Sequence, residues 1–170
     1  LALKYATKRQ EMVDKVLLGY GQIGNDHSIS PTQKYFNTDL AQREFDAERA
    51  RYHWGKTGIG DKPIEVHASD ASLDGSVDVA LLLQASAKEC GINIEVKKMP
   101  NDGYWSNVWN KPGVGMCTSY WSGRPTPDWM FSTCCSEASE WNDMAWKDTP
   151  AANAFNALLH GAKGELDDKK

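Results

Sequence analysis

The sequence predicts an α/β domain with a small, mostly parallel sheet flanked by helices. A stretch rich in β-branched residues, 64–68, precedes a helical stretch that ends at Gly91, and the stretch INIEVKKM, which alternates Ile92, Ile94 and Val96, follows it. Strand–helix–strand units of this length favour parallel pairing with a right-handed crossover. The stretch VGMCTSYW is predicted to add a third strand. The length allows one domain with its own core, so residues 1–170 are expected to form a single domain.

Helices are predicted around these strands from apolar spacing and capping residues. The stretch RQEMVDKVLLGYG has helical spacing, and Asp46 is a good N-cap for a helix that ends at Gly55 or Gly58. Further helices are predicted in NDGYWSNVWN, in TPDWMFSTCC and from Thr149 or Pro150 onward. The helix between the first two strands is predicted to carry its apolar stripe on Val77, Ala80, Leu81, Gln84, Ala85 and Lys88.

The stretch GYGQIG, residues 19–24, fits the dinucleotide-binding pattern G-x-G-x-x-G. That chemistry needs a strand before the glycines and a helix after them, so that the helix N-terminus meets the pyrophosphate. Here the glycines follow a helical stretch and precede a polar stretch without periodicity. The glycines are therefore interpreted as the end of a helix followed by a turn.

Composition disfavours several classes of function. The net charge of -4 gives no reason to expect a nucleic-acid partner, and no apolar run approaches the length of a membrane span. The four histidines are scattered without ligand spacing, so we expect no metal and no cofactor. No signal peptide is visible, and the chain starts within a helical pattern, so a fragment of a longer protein is expected.

The four cysteines do not form a C-x-x-C pair, and adjacent Cys134 and Cys135 make a poor metal clamp. Buried free thiols are expected for these two residues and for Cys90 and Cys117. The alternative, in an oxidising compartment, is one disulfide from Cys117 to Cys134 or Cys135.

The order of several segments resembles family 5 extracellular solute-binding proteins, the peptide-, oligopeptide- and nickel-type receptors of ABC importers. The segments are KYATKRQEMVDKVLLGYG, NDHSISP, REFDAERARYHWGKTG, VALLLQASAKECGINIEVKKMPNDGYW and YWSGRPTPDWMFS. The resemblance implies one lobe of a class II periplasmic-binding-protein-like receptor, here a fragment of the C-terminal lobe. It also implies a periplasmic, extracytoplasmic protein that is not an enzyme. The implied partners are a peptide or small-molecule ligand, the ABC permease subunits and the N-terminal lobe of the same protein.

The same resemblance points to Arg124 as a ligand-binding residue. Peptide-binding members typically carry a Trp-x-x-Asp step whose carboxylate pairs with the α-ammonium group of the peptide. The matching step here begins at Trp121 and ends at Arg124. A guanidinium suits a carboxylate or a phosphate, so an anionic group on the ligand is expected. The alternative is a structural pair of Arg124 with Asp128 or with the missing lobe, worth less than about 1 kcal/mol.

Three more residues near this step are candidates for ligand contact. Trp121 is the best candidate for stacking because it flanks the turn at the end of the predicted third strand, and Tyr120 is the second. Asn142, in SEWNDMAW, is predicted to supply a hydrogen bond. Asp128 is expected to cap the following helix instead of touching ligand.

Two other functions compete with a transport receptor. One is a stand-alone α/β hydrolase that uses His53 or Asp128, although the sequence has no nucleophile elbow and no phosphate loop. The other is a receptor-like domain used in signalling or as a chaperone.

Overall fold

The computed structural model of the chain describes residues 1–167, which fold into two compact units. Unit 1 comprises Leu1–Asp26 and Leu40–Trp121, and unit 2 comprises His27–Asp39 and the described residues from Ser122 onward. The prediction of a single domain over residues 1–170 includes 168–170, which lie outside the described residues, and it stays a prediction.

Unit 1 contains a parallel sheet of two strands and five helices within the described residues. The elements are α1 (Ala2–Ala6), α2 (Arg9–Val16), α3 (Ala47–Gly55), β1 (Ile64–Ala68), α4 (Ser76–Glu89), β2 (Ile94–Lys98) and α5 (Tyr104–Asn107). The register places Ile64 opposite Ile94 and Ala68 opposite Lys98. Helix α4 makes the crossover and packs on the sheet, as the sequence predicts. The core forms mainly from small or branched side chains of α1, α3, α4 and both strands, together with Trp54 of α3.

The predicted third strand is wrong in length, because only one residue of it pairs in the sheet. Cys117 forms a parallel bridge with His67: the His67 amide donates to Met116 O and the Thr118 amide donates to His67 O, both at 2.9 Å. Ladder pairing would continue through the Ser69 amide and the Thr118 carbonyl. Instead Ser69 donates to the Thr118 hydroxyl at 3.3 Å, and the Thr118 carbonyl accepts from the Tyr104 hydroxyl at 2.6 Å. Side-chain hydroxyls thus replace the next ladder bonds.

In unit 1 the helix predictions hold, with two differences. The first helical stretch is split, because α1 ends at Ala6 and α2 begins at Arg9. Asp46 caps α3 as predicted, and its carboxylate accepts from the Arg49 amide. On α4 the predicted stripe is rotated, because Leu81, Ala85 and Lys88 are exposed. The buried residues of the helix are Ser76, Val77, Ala80, Ser86 and Ala87. The buried serines satisfy their hydroxyls within the fold, which polarity alone does not reveal.

The stretch at 19–24 follows α2 and precedes a segment without helix or strand up to Asp46. Gly19 has φ +82°, a left-handed conformation that suits glycine after a helix end. The interpretation as helix end plus turn is confirmed, and the strand–turn–helix context of a dinucleotide site is absent from this described segment.

Unit 2 is built around two helices, α6 (Pro127–Cys134) and α7 (Pro150–Gly164). Their aromatic residues pack edge to face, with the rings of Phe131 and Phe155 5.8 Å apart. The expected capping role of Asp128 is wrong: Thr126 is the N-cap of α6, and its hydroxyl accepts from the Trp129 amide. Pro127 occupies the first helical turn, which places the cap just before it. No helix among the described residues is long and apolar enough to cross a membrane.

An ionic clamp in unit 1 joins the point where the chain leaves the unit to the point where it returns. The carboxylate of Asp26 accepts from Arg9 and from Arg43, and all three side chains are largely buried. Asn25 adds a donor to Leu40 O at 2.9 Å. Burial raises the pKa of Asp26, but the bonds from Arg9 and Arg43 outweigh it and hold that pKa below its usual value.

We predict that Asp26→Asn lowers the free energy of unfolding by about 1–3 kcal/mol at pH 7, because it removes two charge-assisted hydrogen bonds. The contribution of a carboxylate with a lowered pKa is present above its unfolded pKa, near 3.9, and is lost as pH falls through the folded pKa. The stability difference between wild type and variant should therefore shrink below about pH 4. Urea denaturation between pH 3 and pH 7 measures it.

Asp14→Asn is the matched control, because Asp14 is exposed and bonds only locally to Gln10. Its effect should stay within about 0.5 kcal/mol. Equal unfolding free energies for wild type and Asp26→Asn at pH 7 would contradict a stabilising clamp.

Candidate functional site

A buried network of hydroxyl groups lies at the carboxyl end of β1, the end of a parallel sheet where ligands tend to bind. Ser69 and Ser72 are almost fully buried there. The Ser72 hydroxyl contacts Ser69 O at 2.8 Å, Ser76 Oγ at 2.7 Å and Thr118 Oγ1 at 3.0 Å. Ser69 Oγ donates to Asn101 Oδ1 at 2.8 Å. The network ties the loops after β1 and β2 to the segment around Thr118.

Tyr104 completes this network from α5. Its side chain is 1% exposed, and its hydroxyl lies 2.6 Å from Thr118 O, 3.1 Å from Thr118 Oγ1 and 3.3 Å from His67 O. Burial raises the pKa of Tyr104, although the bond to Thr118 acts in the opposite direction. The phenol therefore stays a neutral donor at physiological pH. One hydroxyl thus fixes α5 against the segment that bridges to β1.

Four aromatic residues lie in or just after these two anchored segments. They form one cluster, which we call the aromatic cluster: Trp105, Trp109, Tyr120 and Trp121. The ring of Trp105 lies 5.6 Å from Trp109 and 5.8 Å from Tyr120, and Trp109 lies 6.3 Å from Trp121. All three contacts are edge to face, the geometry that aromatic pairs favour. Trp105 is 38% exposed and Tyr120 is 52% exposed. The cluster offers rigid apolar faces with polar N–H and O–H tips.

Arg124 lies in unit 2, three residues beyond Trp121. Its Nη1 donates to the carbonyl and the hydroxyl of Ser122, both at 2.9 Å. The Gln33 amide donates to Arg124 O at 2.7 Å. These bonds hold both the backbone and the head group of Arg124. The alternative partner, Asp128, pairs with Lys163 at 3.3 Å and accepts from the Ser132 hydroxyl at 3.0 Å.

Asn142 lies in the turn between α6 and α7 and is 3% exposed. Its side-chain amide donates to Trp146 O at 3.1 Å, and its Oδ1 accepts from the Met144 amide at 3.0 Å. The structure therefore shows Asn142 stabilising its own turn, and its contact with a ligand stays a prediction. Tyr120 and Trp121 come together in unit 1, whereas Arg124 and Asn142 belong to unit 2.

Unit 2 also contains a cavity of about 860 Å³ between the 27–37 segment, α6 and α7. Phe131 and Leu159 contribute apolar walls, and Asn37 and Asp128 contribute polar groups. Among the described residues, its lining includes neither Arg124 nor Asn142. The cavity is thus separate from the predicted ligand residues of this unit.

The residues proposed for a hydrolase do not form a catalytic arrangement in the described part of the chain. His53 lies on α3, where it stacks on Tyr5 at 5.8 Å and meets Tyr52 edge to face. Asp128 pairs with a lysine at the edge of α6. No group of three metal-ligating side chains occurs among residues 1–167.

The hydroxyl network and Trp105 were not predicted from the sequence. The signal that points to the network is the run SDASLDGS, with three serines directly after β1. The signal for Trp105 is its place in YWSNVW, where three aromatic residues fall within six positions. Neither run indicates which residues it contacts, because Thr118 and Tyr120 are distant in sequence.

The chain matches a protein-family model along most of its length. The model described as "Bacterial extracellular solute-binding proteins, family 5 Middle" matches residues 1–142. No curated protein sequence matches the chain.

Solved structures share the fold at low sequence identity. The ABC transporter substrate-binding protein CtaP from Listeria monocytogenes has a TM-score of 0.79 at 21% identity, over 99% of this chain and 34% of its own. DppA from Helicobacter pylori in complex with the peptide STSA has a TM-score of 0.80 at 20% identity, and the match covers 99% of this chain and 32% of DppA. NikA from Staphylococcus aureus in complex with Ni(L-His)2 has a TM-score of 0.70 at 18% identity, and the match covers 99% of this chain and 35% of NikA. The chain thus spans about a third of the length of these proteins.

We predict that Tyr104→Phe lowers the free energy of unfolding by about 1–2 kcal/mol, because it leaves the buried Thr118 carbonyl without its hydroxyl donor. The near-ultraviolet circular dichroism of the aromatic cluster should weaken at the same time. Urea denaturation and circular dichroism measure the two effects. Tyr120→Phe, which removes an exposed hydroxyl, should change stability by less than about 0.5 kcal/mol. Similar losses in both variants would argue against an anchoring role for Tyr104.

Proposed function

Because the chain belongs to family 5 of the bacterial extracellular solute-binding proteins, we propose that it forms part of the receptor of an ABC importer. In this role it binds a peptide or a related small solute outside the cytoplasm and delivers it to the membrane permease, without chemical turnover. The remainder of a longer chain, with the N-terminal lobe, supplies the opposite wall of the binding cleft. The observation that carries the proposal is the exposed aromatic cluster at the carboxyl end of the β1–β2 sheet.

The aromatic cluster supplies the contact surface for the ligand in this proposal. Trp121 and Tyr120 lie directly after the segment that bridges to β1, and Trp105 braces Tyr120 edge to face. Rigid aromatic side chains contribute large contact areas at a low entropic cost. The N–H and O–H tips can bond the polar groups of a peptide main chain. This surface therefore suits an extended solute that has both apolar and polar groups.

Arg124 supplies the charge preference. The bonds to Ser122 orient its guanidinium, so less entropy is lost when further N–H donors bind a ligand. A planar guanidinium binds carboxylate or phosphate in two parallel hydrogen bonds. We infer a ligand with an anionic group, such as a peptide whose carboxylate pairs with Arg124. Asn142 is proposed as a further hydrogen-bonding residue, on sequence position alone.

The first experiment identifies what the intact protein carries when it is purified gently from the cell envelope. Denaturation releases bound molecules for mass spectrometry, and the purification is repeated with Arg124→Gln. We expect a carboxylate- or phosphate-bearing molecule in the wild type that is lost in the variant, equivalent to at least a tenfold weaker affinity. Arg51→Gln is the matched control, since Arg51 bonds the end of α4 through Glu89 O.

The outcome that would overturn the anionic preference is a set of ordinary peptides retained equally by wild type and Arg124→Gln. In that case Arg124 is structural and the receptor role stands. No released molecule from any preparation, and no saturable binding of peptides added back, would overturn the receptor role itself.

We predict that Trp121→Ala weakens binding of the released ligand about tenfold, because a lost aromatic contact costs on the order of 1.4 kcal/mol. Calorimetric titration of ligand-free intact protein measures this change. Trp141→Ala is the control, because Trp141 is an exposed tryptophan that lies outside the aromatic cluster. Equal affinities in the wild type and Trp121→Ala would place the ligand elsewhere.

A further inference from the structure

Two adjacent cysteines close α6 with their sulfur atoms facing each other. Cys134 is the last residue of the helix, and Cys135 is its C-cap. The two Sγ atoms lie 3.1 Å apart, and the side chains are 2% and 4% exposed. The Ser28 hydroxyl lies 3.7 Å from Cys134 Sγ. No cysteine among the described residues is in a disulfide, so the alternative link from Cys117 to Cys134 or Cys135 is not formed in this structure.

The contact between the two thiols separates their acidities. A hydrogen bond from Cys135 stabilises the Cys134 thiolate and lowers the pKa of Cys134 to about 7, although burial acts in the opposite direction. The same bond, together with burial, raises the pKa of Cys135. Since the thiolate is the nucleophile in disulfide exchange, Cys134 is the attacking residue of the pair.

We propose that Cys134 and Cys135 are a redox modification site, which small disulfides such as oxidised glutathione convert into a vicinal disulfide. The Cys134 thiolate attacks one sulfur of the oxidant, whose S–S bond breaks and releases one thiolate. Cys135 then loses its proton to solvent and attacks Cys134 Sγ, which expels the second thiolate. Two protein thiols are thereby oxidised by two electrons, and the oxidant is reduced to two thiols that take up the protons.

Such a bond is easily reversed, for a geometric reason. Neighbouring Cα atoms are held about 3.8 Å apart by a trans peptide, whereas disulfides favour Cα separations of about 4.4–6.8 Å. A vicinal disulfide therefore stores strain, and strained disulfides are the readily reduced ones. The site is suited to a reversible modification and not to a permanent staple.

Both cysteine carbonyls hold the turn that follows α6. Cys134 O accepts from the Asp143 amide, and Cys135 O accepts from the Trp146 indole, each at 2.9 Å. Closing the ring between the two sulfurs changes the backbone torsions at this step. Oxidation is therefore expected to disturb both bonds and to alter the environment of Trp146.

Burial controls how fast the modification occurs. Because the Cys134 sulfur is buried, an oxidant reaches it only when the surrounding structure opens locally, so exchange should be slow in the folded protein. Concentrations of urea below the unfolding transition should accelerate it, because they favour local opening.

The test treats intact, fully reduced protein with oxidised glutathione, with and without such urea, and then alkylates the remaining thiols. We expect peptide mass spectrometry to show that the peptide with Cys134 and Cys135 has lost two hydrogens and is not alkylated. Cys90 and Cys117 should be alkylated, and a thiol reductant should restore alkylation of the pair. The double variant Cys90→Ser/Cys117→Ser should behave as the wild type.

Cys135→Ser removes the resolving thiol, so it should accumulate glutathione on Cys134 in place of the internal bond. Three results would overturn the proposal: a link from Cys117 to either residue, stable glutathione adducts on the wild-type pair, or full alkylation of both thiols after treatment in urea. None of these results depends on what the receptor binds.

Discussion

The hydroxyl of Tyr104 is the interaction on which the arrangement of the site depends. It donates a hydrogen bond to the Thr118 carbonyl, which would otherwise accept the next bond of the sheet. The parallel pairing therefore stops after a single bridge at Cys117. The chain beyond Thr118 is thereby released from the strand path, while α5 is fixed beside it. Trp105 and Tyr120 meet because these two segments share one buried hydroxyl. Without that bond, a longer third strand would alternate Tyr120 and Trp121 across the two faces of the sheet.

The sequence predicts what depends on neighbours along the chain. The bounds of β1, the cap at Asp46 and the crossover of α4 follow from local patterns and agree with the structure. What it misses depends on distant partners or on buried polar groups. The stripe of α4 is rotated because serines take buried positions once other hydroxyls bond them. Thr126, not Asp128, caps α6, since the proline at the helix start fixes where the cap lies.

In the candidate site, too, the sequence indicates residues through local patterns but does not reveal their tertiary contacts. Tyr120 and Trp121 lie in one aromatic cluster, which the sequence indicates only by their place after a strand. The bracing by Trp105 and Trp109 depends on tertiary contacts across more than ten residues. Arg124 is indicated by family resemblance alone, and the structure adds that Ser122 orients it. The cysteine pair carries no recognisable spacing motif, so its chemistry becomes visible only from burial and the facing sulfur atoms.

We propose that the carboxyl end of the β1–β2 sheet forms one wall of the ligand site. A crystal structure of the intact protein with its co-purified ligand tests this most directly. We expect ligand atoms in van der Waals contact with Trp121 or Tyr120, and the Tyr104 hydroxyl still bonded to Thr118 O. A ligand bound in the closed cleft with no atom near the aromatic cluster would contradict it.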